Sequence, residues 1–154
     1  MQTLKVGDPA PQFSLSDQDD KTVSLTDFSG KKVLVYFYPR ASTPGCTVQA
    51  CALRDTKSEL DSLNVVVLGI SPDTPKKLTN FITKQALNFT LLADEDHATC
   101  EAYNVWQLKK FMGRENMGVV RKSFLIDEKG NIEHVFDKFK TKDHHQVVLD
   151  YLNS

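Results

Sequence analysis

Two uninterrupted apolar runs of equal length dominate the pattern of this sequence. Residues 33–38 read VLVYFY and residues 65–70 read VVVLGI. A strand with one wet face alternates apolar and polar positions, whereas a run without polar interruption belongs to a strand covered on both faces. Between the runs, residues 47–63 place Leu53, Leu60 and Leu63 at helical spacings among Arg54, Asp55, Lys57 and Glu59. Buried strand, amphipathic helix and buried strand in succession predict a right-handed parallel crossover. Neither run approaches the ~20 apolar residues that a membrane-spanning helix needs.

The remaining pattern extends this unit. After residue 70, Thr74 is a capping residue, Pro75 suits the first helical position, and Leu78, Phe81 and Ile82 form one stripe. Residues 89–93 read as a short strand and residues 97–103 as a short helix. Residues 123–126 and 131–136 flank a turn at Asp127-Glu128-Lys129-Gly130 and predict a hairpin. Residues 144–152 close the chain as a helix with Val147, Val148 and Tyr151 inward. At the front, residues 13–15 and 22–24 flank an acidic turn and predict an N-terminal β-hairpin extension. Parallel crossovers, then an antiparallel hairpin and a last helix, define an α/β fold of thioredoxin-like arrangement. Its mixed central sheet carries helices on both faces. Residues 104–119 match neither period and read as a long loop holding Trp106, Phe111, Met112 and Met117.

Composition bounds what such a domain does. The 154 residues suit a single domain, 1–154, and 40% apolar with 25% charged residues are globular values. Lys and Arg number 19 against 20 Asp and Glu, a net charge of −1 that disfavours nucleic acid as a partner. No basic start followed by an apolar stretch marks a signal peptide. Three cysteines, an odd number, then point to a reducing, cytoplasmic setting and to thiol chemistry rather than a disulfide framework.

That chemistry is concentrated in residues 39–48, PRASTPGCTV, where the first core strand hands over to its helix. Carboxyl ends of strands are where open α/β sheets form their sites. With Thr43 as N-cap and Pro44 as first helical residue, Cys46 falls in the first turn. There the free amides and the positive end of the helix dipole favour thiolate over thiol.

These residues carry a resemblance. Pro39, Thr43 and Cys46 match the Pro-x-x-x-Thr-x-x-Cys loop of peroxiredoxins. Tyr36-Phe37-Tyr38-Pro39, the segment TPGCT at 43–47, and Cys51 five residues after Cys46 are similar to the bacterioferritin comigratory protein (PrxQ) subfamily. The likeness runs from Gly7-Asp8-Pro9-Ala10-Pro11 through residues 67–71 (VLGIS) and 124–127 (FLID) to the last helix. It implies a thiol peroxidase without metal or organic cofactor, acting on hydrogen peroxide and organic hydroperoxides as a monomer. Thioredoxin or a similar dithiol is the implied reductant. By the same resemblance Cys46 is the peroxidatic cysteine, Thr43 and the Cys46 amide position the peroxide, and Pro39 shields the pocket. Arg121, otherwise readable as a strand-end surface charge, stabilises the thiolate and polarises the O–O bond. Gln49 stands where many members carry Glu, in a supporting position beside the arginine. The resemblance makes Cys51 the resolving thiol. Five residues along one helix separate Cα atoms by ~8.7 Å, whereas a disulfide needs no more than about 7 Å, so a shared helix would have to unwind.

The other candidates read as structural. Cys100 has no proline or glycine beside it and is assigned to packing. A zinc site of His97, three residues from Cys100, with Cys46 and Cys51 is disfavoured, since the five-residue cysteine spacing exceeds that of a zinc knuckle. His134 reads as packing, and His144 and His145 as solvated surface. Two competing functions remain open on the residues alone. One is a general disulfide oxidoreductase, disfavoured by the lack of a Cys-x-x-Cys pair; the other is a non-enzymatic redox sensor.

Overall fold

The computed structural model describes residues 4–154. The chain opens with the antiparallel hairpin β1 (Ser14–Asp17) and β2 (Thr22–Ser24), followed by a 3₁₀ turn and β3 (Lys32–Phe37). Helices α1 (Pro44–Asp55) and α2 (Lys57–Ser62) lead to β4 (Val65–Ser71). Then come α3 (Pro75–Gln85), β5 (Thr90–Ala93) and α4 (Ala98–Ala102). Strands β6 (Trp106–Phe111), β7 (Arg114–Val119), β8 (Lys122–Ile126) and β9 (Ile132–Phe136) precede α5 (His144–Leu152).

The two apolar runs form the centre of a seven-stranded sheet of order β2-β1-β5-β4-β3-β8-β9. β3 and β4 pair in parallel with Tyr36 opposite Gly69, β5 continues the parallel set, and β8 lies antiparallel to β3 with Ser123 opposite Tyr36. Alternation along β3 builds two cores. Leu34, Tyr36 and Tyr38 pack with Cys46, Leu53, Leu60, Leu78, Phe81 and Val148 on the side of α1, α2, α3 and α5. Val33, Val35 and Phe37 pack with Cys100, Tyr103 and Phe124 on the other face, under α4 and the N-terminal segment. Burial of both faces, complete but for the half-buried Val66, is why neither run is interrupted by a charged or amide residue. The sequence expectation of a mixed sheet with helices on both faces and a leading hairpin describes this architecture.

Three expectations are corrected. The helix expected over residues 47–63 is two helices, because Thr56 turns out of helical geometry at φ −104° and ψ 6°. Its hydroxyl donates to the carbonyls of Ala52 and Leu53 at 3.0 and 3.3 Å, a side-chain bond of the kind that competes with helix continuation. Leu63, beyond the end of α2, is consequently exposed. The loop expected over residues 104–119 contains the antiparallel ribbon β6–β7, with Trp106 opposite Val119. Its turn is Met112-Gly113, both residues in the left-handed region at φ 52° and 79°. Two such residues joining adjacent strands are the favoured tight hairpin connection. The ribbon escaped notice because most of β7 is exposed, so no buried alternation marks it.

The third correction is His144, which is wholly buried rather than solvated. It hydrogen-bonds the hydroxyl of Ser123 at 2.7 Å and packs against the rings of Tyr36 and Phe139. The first residue of α5 is thereby joined to β8. His134 does pack, stacked on Tyr151 with ring centroids 4.3 Å apart. Burial, with a contribution from His145, pushes the His144 imidazole down to about 3, against the opposing pull of Asp143. Because the folded state resists protonation, this site's stability is complete above about pH 6.5, the ordinary histidine range, and is lost as pH falls towards the folded value. Thermal melting between pH 7.5 and 4.5 checks this. The wild-type melting temperature is expected to fall more steeply with acid than that of His144→Gln, even though the variant starts lower.

Candidate active site

The first turn of α1 is built by local sequence. Thr43 occupies the N-cap position with extended backbone, and Pro44 begins the helix where a missing N–H costs nothing. The Thr47 amide donates to the Thr43 carbonyl at 2.9 Å, which leaves the Gly45 and Cys46 amides at the open helix end. The Thr43 hydroxyl does not cap. It donates to the carbonyl of Arg40 at 2.9 Å, so its oxygen faces other groups as an acceptor.

Cys46 is 1% exposed and its sulfur accepts a hydrogen bond from Arg121 Nη2 at 3.3 Å. Arg121 lies just before β8 and is held in turn by Gln49, whose Oε1 accepts from Nη1 at 3.0 Å. Gln49 is buried one turn along α1, and its Nε2 has no partner among the described residues. The guanidinium passes so close to the helix start that a Cβ on Gly45 would lie 3.0 Å from Nη2. Any larger residue there would press on the arginine. Pro39 is half-buried at the end of β3. Cys46, Arg121, Gln49, Thr43 and Pro39 thus occupy one end of the sheet. A free sulfur meets a fixed cation and the open end of a helix there.

Cys51 lies on the same helix, its thiol half-buried and 3.6 Å from Gln85 Oε1. Both cysteines are free thiols and α1 is continuous between them. Cys100 is fully buried in the opposite core, its thiol pushed up by burial and by the neighbouring Asp94 carboxylate. His97 stacks on Trp106 at 4.0 Å, away from the cysteines of α1. Among the described residues no three His, Cys, Asp or Glu side chains gather as a metal ion would require.

Asp73 was not among the residues singled out from sequence. It is 6% exposed at the β4–α3 junction and accepts hydrogen bonds from the Ser71 hydroxyl at 2.7 Å and the Ala41 amide at 2.8 Å. Its signal was available: a polar Ser-x-Asp directly after an apolar run, at the carboxyl end of a buried strand.

A thioredoxin-like sheet with a buried, arginine-paired cysteine at a helix start defines a thiol-based redox enzyme, and comparison with known proteins agrees. Residues 6–135 match the model of the AhpC/TSA family. The chain is 62% identical over 152 residues to peroxiredoxin Bcp of Escherichia coli, covering 99% of this chain and 97% of that protein. Peroxiredoxin Bcp of Bacillus subtilis is 43% identical over 150 residues, covering 97% and 96%. The solved structure of the Xanthomonas campestris bacterioferritin comigratory protein, described for alkyl peroxide reduction, superposes with a TM-score of 0.88 at 32% identity, covering 97% and 96% of the two chains. The chain belongs to the AhpC/TSA family, as a peroxiredoxin of the bacterioferritin comigratory (PrxQ) subfamily. It is therefore a thiol-dependent peroxidase, taking peroxide substrates and a thiol reductant.

If Arg121 supplies the stabilising charge, Arg121→Ala is expected to slow oxidation of Cys46 by hydrogen peroxide at least tenfold at neutral pH. Alkylation by iodoacetamide should slow with it, because both reactions use the thiolate. Stopped-flow fluorescence and timed mass spectrometry of the alkylated protein are the measurements.

Proposed function

We propose that Cys46 is the peroxidatic cysteine and Cys51 the resolving cysteine, with Thr43, Arg121 and Pro39 forming the peroxide pocket and Gln49 supporting the arginine. The observation that carries this reading is the 3.3 Å contact of Arg121 with the Cys46 sulfur at the open end of α1. The Cys46 thiolate attacks the nearer oxygen of hydrogen peroxide or an organic hydroperoxide. An S–O bond forms, the O–O bond breaks, and hydroxide or alkoxide leaves and takes up a proton. Charge moves from sulfur towards the departing oxygen, so the Arg121 donors and the helix-end amides act most strongly in the transition state. Thr43 Oγ1, its hydrogen committed to Arg40, accepts the peroxide O–H.

The product is a sulfenic acid on Cys46. The Cys51 thiol condenses with it, forming an S–S bond and releasing water. A dithiol reductant, in this reading thioredoxin, then returns both thiols by exchange and departs as its own disulfide. Three things favour Cys51 over Cys100 as partner. Cys51 shares α1 with Cys46, it is half-buried rather than enclosed, and the central sheet separates Cys46 from Cys100. An intact helix holds residues five apart beyond disulfide reach, so closure requires the start of α1 to unwind. We further propose a single domain over residues 1–154 that works as a monomer in the cytoplasm. In support, one sheet joins both cores, and no helix among the described residues is long and apolar enough to cross a membrane.

Cysteine variants test the assignments. Cys46→Ser is expected to abolish peroxide turnover and Cys100→Ser to leave it nearly intact. Cys51→Ser should permit one fast oxidation, after which mass spectrometry finds oxygen added to Cys46 instead of an internal disulfide. Thioredoxin-supported turnover by Cys51→Ser at the wild-type rate would reassign the resolving thiol.

Hydrogen exchange tests the unwinding. Residues 43–52 are expected to exchange faster in the oxidised protein, with little change beyond Leu60. Equal protection in both redox forms would defeat it.

A further inference from the structure

We infer that Asp73 is a positioning residue for peroxide reduction, acting through the backbone of the loop between β3 and α1. The inference rests on the assignment of Cys46, Thr43 and Pro39 to the peroxide pocket. That loop, residues 39–43, contains Ser42 at φ 65°, a left-handed conformation that a residue with a Cβ adopts at a cost. A strained, partly exposed loop needs a restraint from outside. Among the described residues its hydrogen bonds are few. The Thr43 hydroxyl bonds the Arg40 carbonyl within the loop itself, and the Thr43 carbonyl accepts from Thr47 in α1.

The bond that ties residues 39–43 to a separate element of the fold is the Ala41 amide to Asp73 Oδ2, 2.8 Å long and bridging 32 positions. The same oxygen accepts from the Ser71 hydroxyl at 2.7 Å, which fixes the carboxylate on the rigid end of β4. Asp73 is nearly inaccessible, and charge-assisted bonds of this kind are the stronger ones. Ala41 itself packs against the core that contains Cys46. The carboxylate therefore sets where the loop stands, and with it the Arg40 carbonyl that orients the Thr43 hydroxyl. Asp73 touches neither sulfur nor Arg121 by hydrogen bond; its influence passes through two loop residues to the peroxide's acceptor.

This separates two reactivities of one sulfur. Alkylation by iodoacetamide needs only a thiolate. Reduction of peroxide needs, in addition, an oriented O–O bond, and a displacement of about 1 Å in such positioning costs ~100-fold in rate. Asp73→Ala is thus expected to slow Cys46 oxidation by hydrogen peroxide tenfold or more while changing iodoacetamide alkylation less than twofold. Asp73→Asn, whose amide oxygen can still accept from Ala41, should recover most of the oxidation rate. Stopped-flow oxidation and timed alkylation of the same preparations give the ratio, with melting curves to establish folding.

An unchanged ratio in folded Asp73→Ala would overturn the inference. So would a parallel fall in both rates, the mark of general disruption of the helix start. Should Asp73→Ala lack a cooperative melting transition, Ser71→Ala carries the test, since it releases the carboxylate from β4. It is expected to lower the ratio at least threefold, and an unaltered ratio overturns the proposal. Cys46→Ser in the same series keeps the outcomes distinct: peroxide turnover surviving in that variant would defeat the site assignment itself, independently of Asp73.

Discussion

The contact on which the site depends is that between a guanidinium and a sulfur taken almost entirely out of water. Placing a cation and a potential anion together in a protein interior costs desolvation, which is recovered only when geometry and supporting bonds are good. Here the support is specific. Gln49 takes one arm of Arg121, Cys46 takes the other, and Gly45 leaves the space through which the guanidinium reaches. The uncharged partner matters as well. Gln49 holds the arginine through a neutral amide oxygen, so the pairing fixes its direction without adding a second charge.

Sheet topology brings these pieces together. Parallel β3 and β4 end at the same edge, and antiparallel β8 begins there. The loop after β3, the junction after β4 and the residue before β8 therefore meet without any long excursion of the chain. Cys46, Asp73 and Arg121 are distant in sequence yet gather at one edge. His144 secures the arrangement from above, since its bond to Ser123 fixes β8 two residues beyond Arg121. A histidine kept neutral by burial suits that place, because a second cation there would oppose the first.

How far this was legible in the sequence varied with the physical cause. The central strands were plain because burial on both faces removes every charged or amide residue, and Cys46 was plain because Thr-Pro-Gly writes a helix start. The ribbon β6–β7 was hidden because most of β7 before Val119 is exposed, and an exposed strand has no hydrophobic period to show. His144 was misjudged because polarity at a helix start normally means solvent, and only β8 lying alongside reveals the Ser123 hydroxyl that accommodates it. Asp73 escaped because its partner is a backbone amide, which has no letter in a sequence. Thr43 was placed correctly at the cap, but the direction of its hydroxyl depends on the path of residues 40–42. Burial can be inferred from composition along a strand; hydrogen-bond partners across loops cannot.

The interruption at Thr56 has a consequence for how order is lost. A helix is cooperative along its length, so a single continuous rod from Pro44 to Ser62 would carry fraying at one end far towards the other. Divided at Thr56, the rod becomes two segments that meet at that one residue, and the second is anchored by Leu60 in the core beside β4. The bonds from Arg54 to the Gln85 carbonyl and from Asn88 to the Arg54 carbonyl clamp the far end of the first segment to the end of α3. The division works as a firebreak. Disorder that begins at Cys46 meets a clamp and then a break in helical geometry before it can reach the sheet, so a local melting event leaves the rest of the fold as the template on which the helix re-forms.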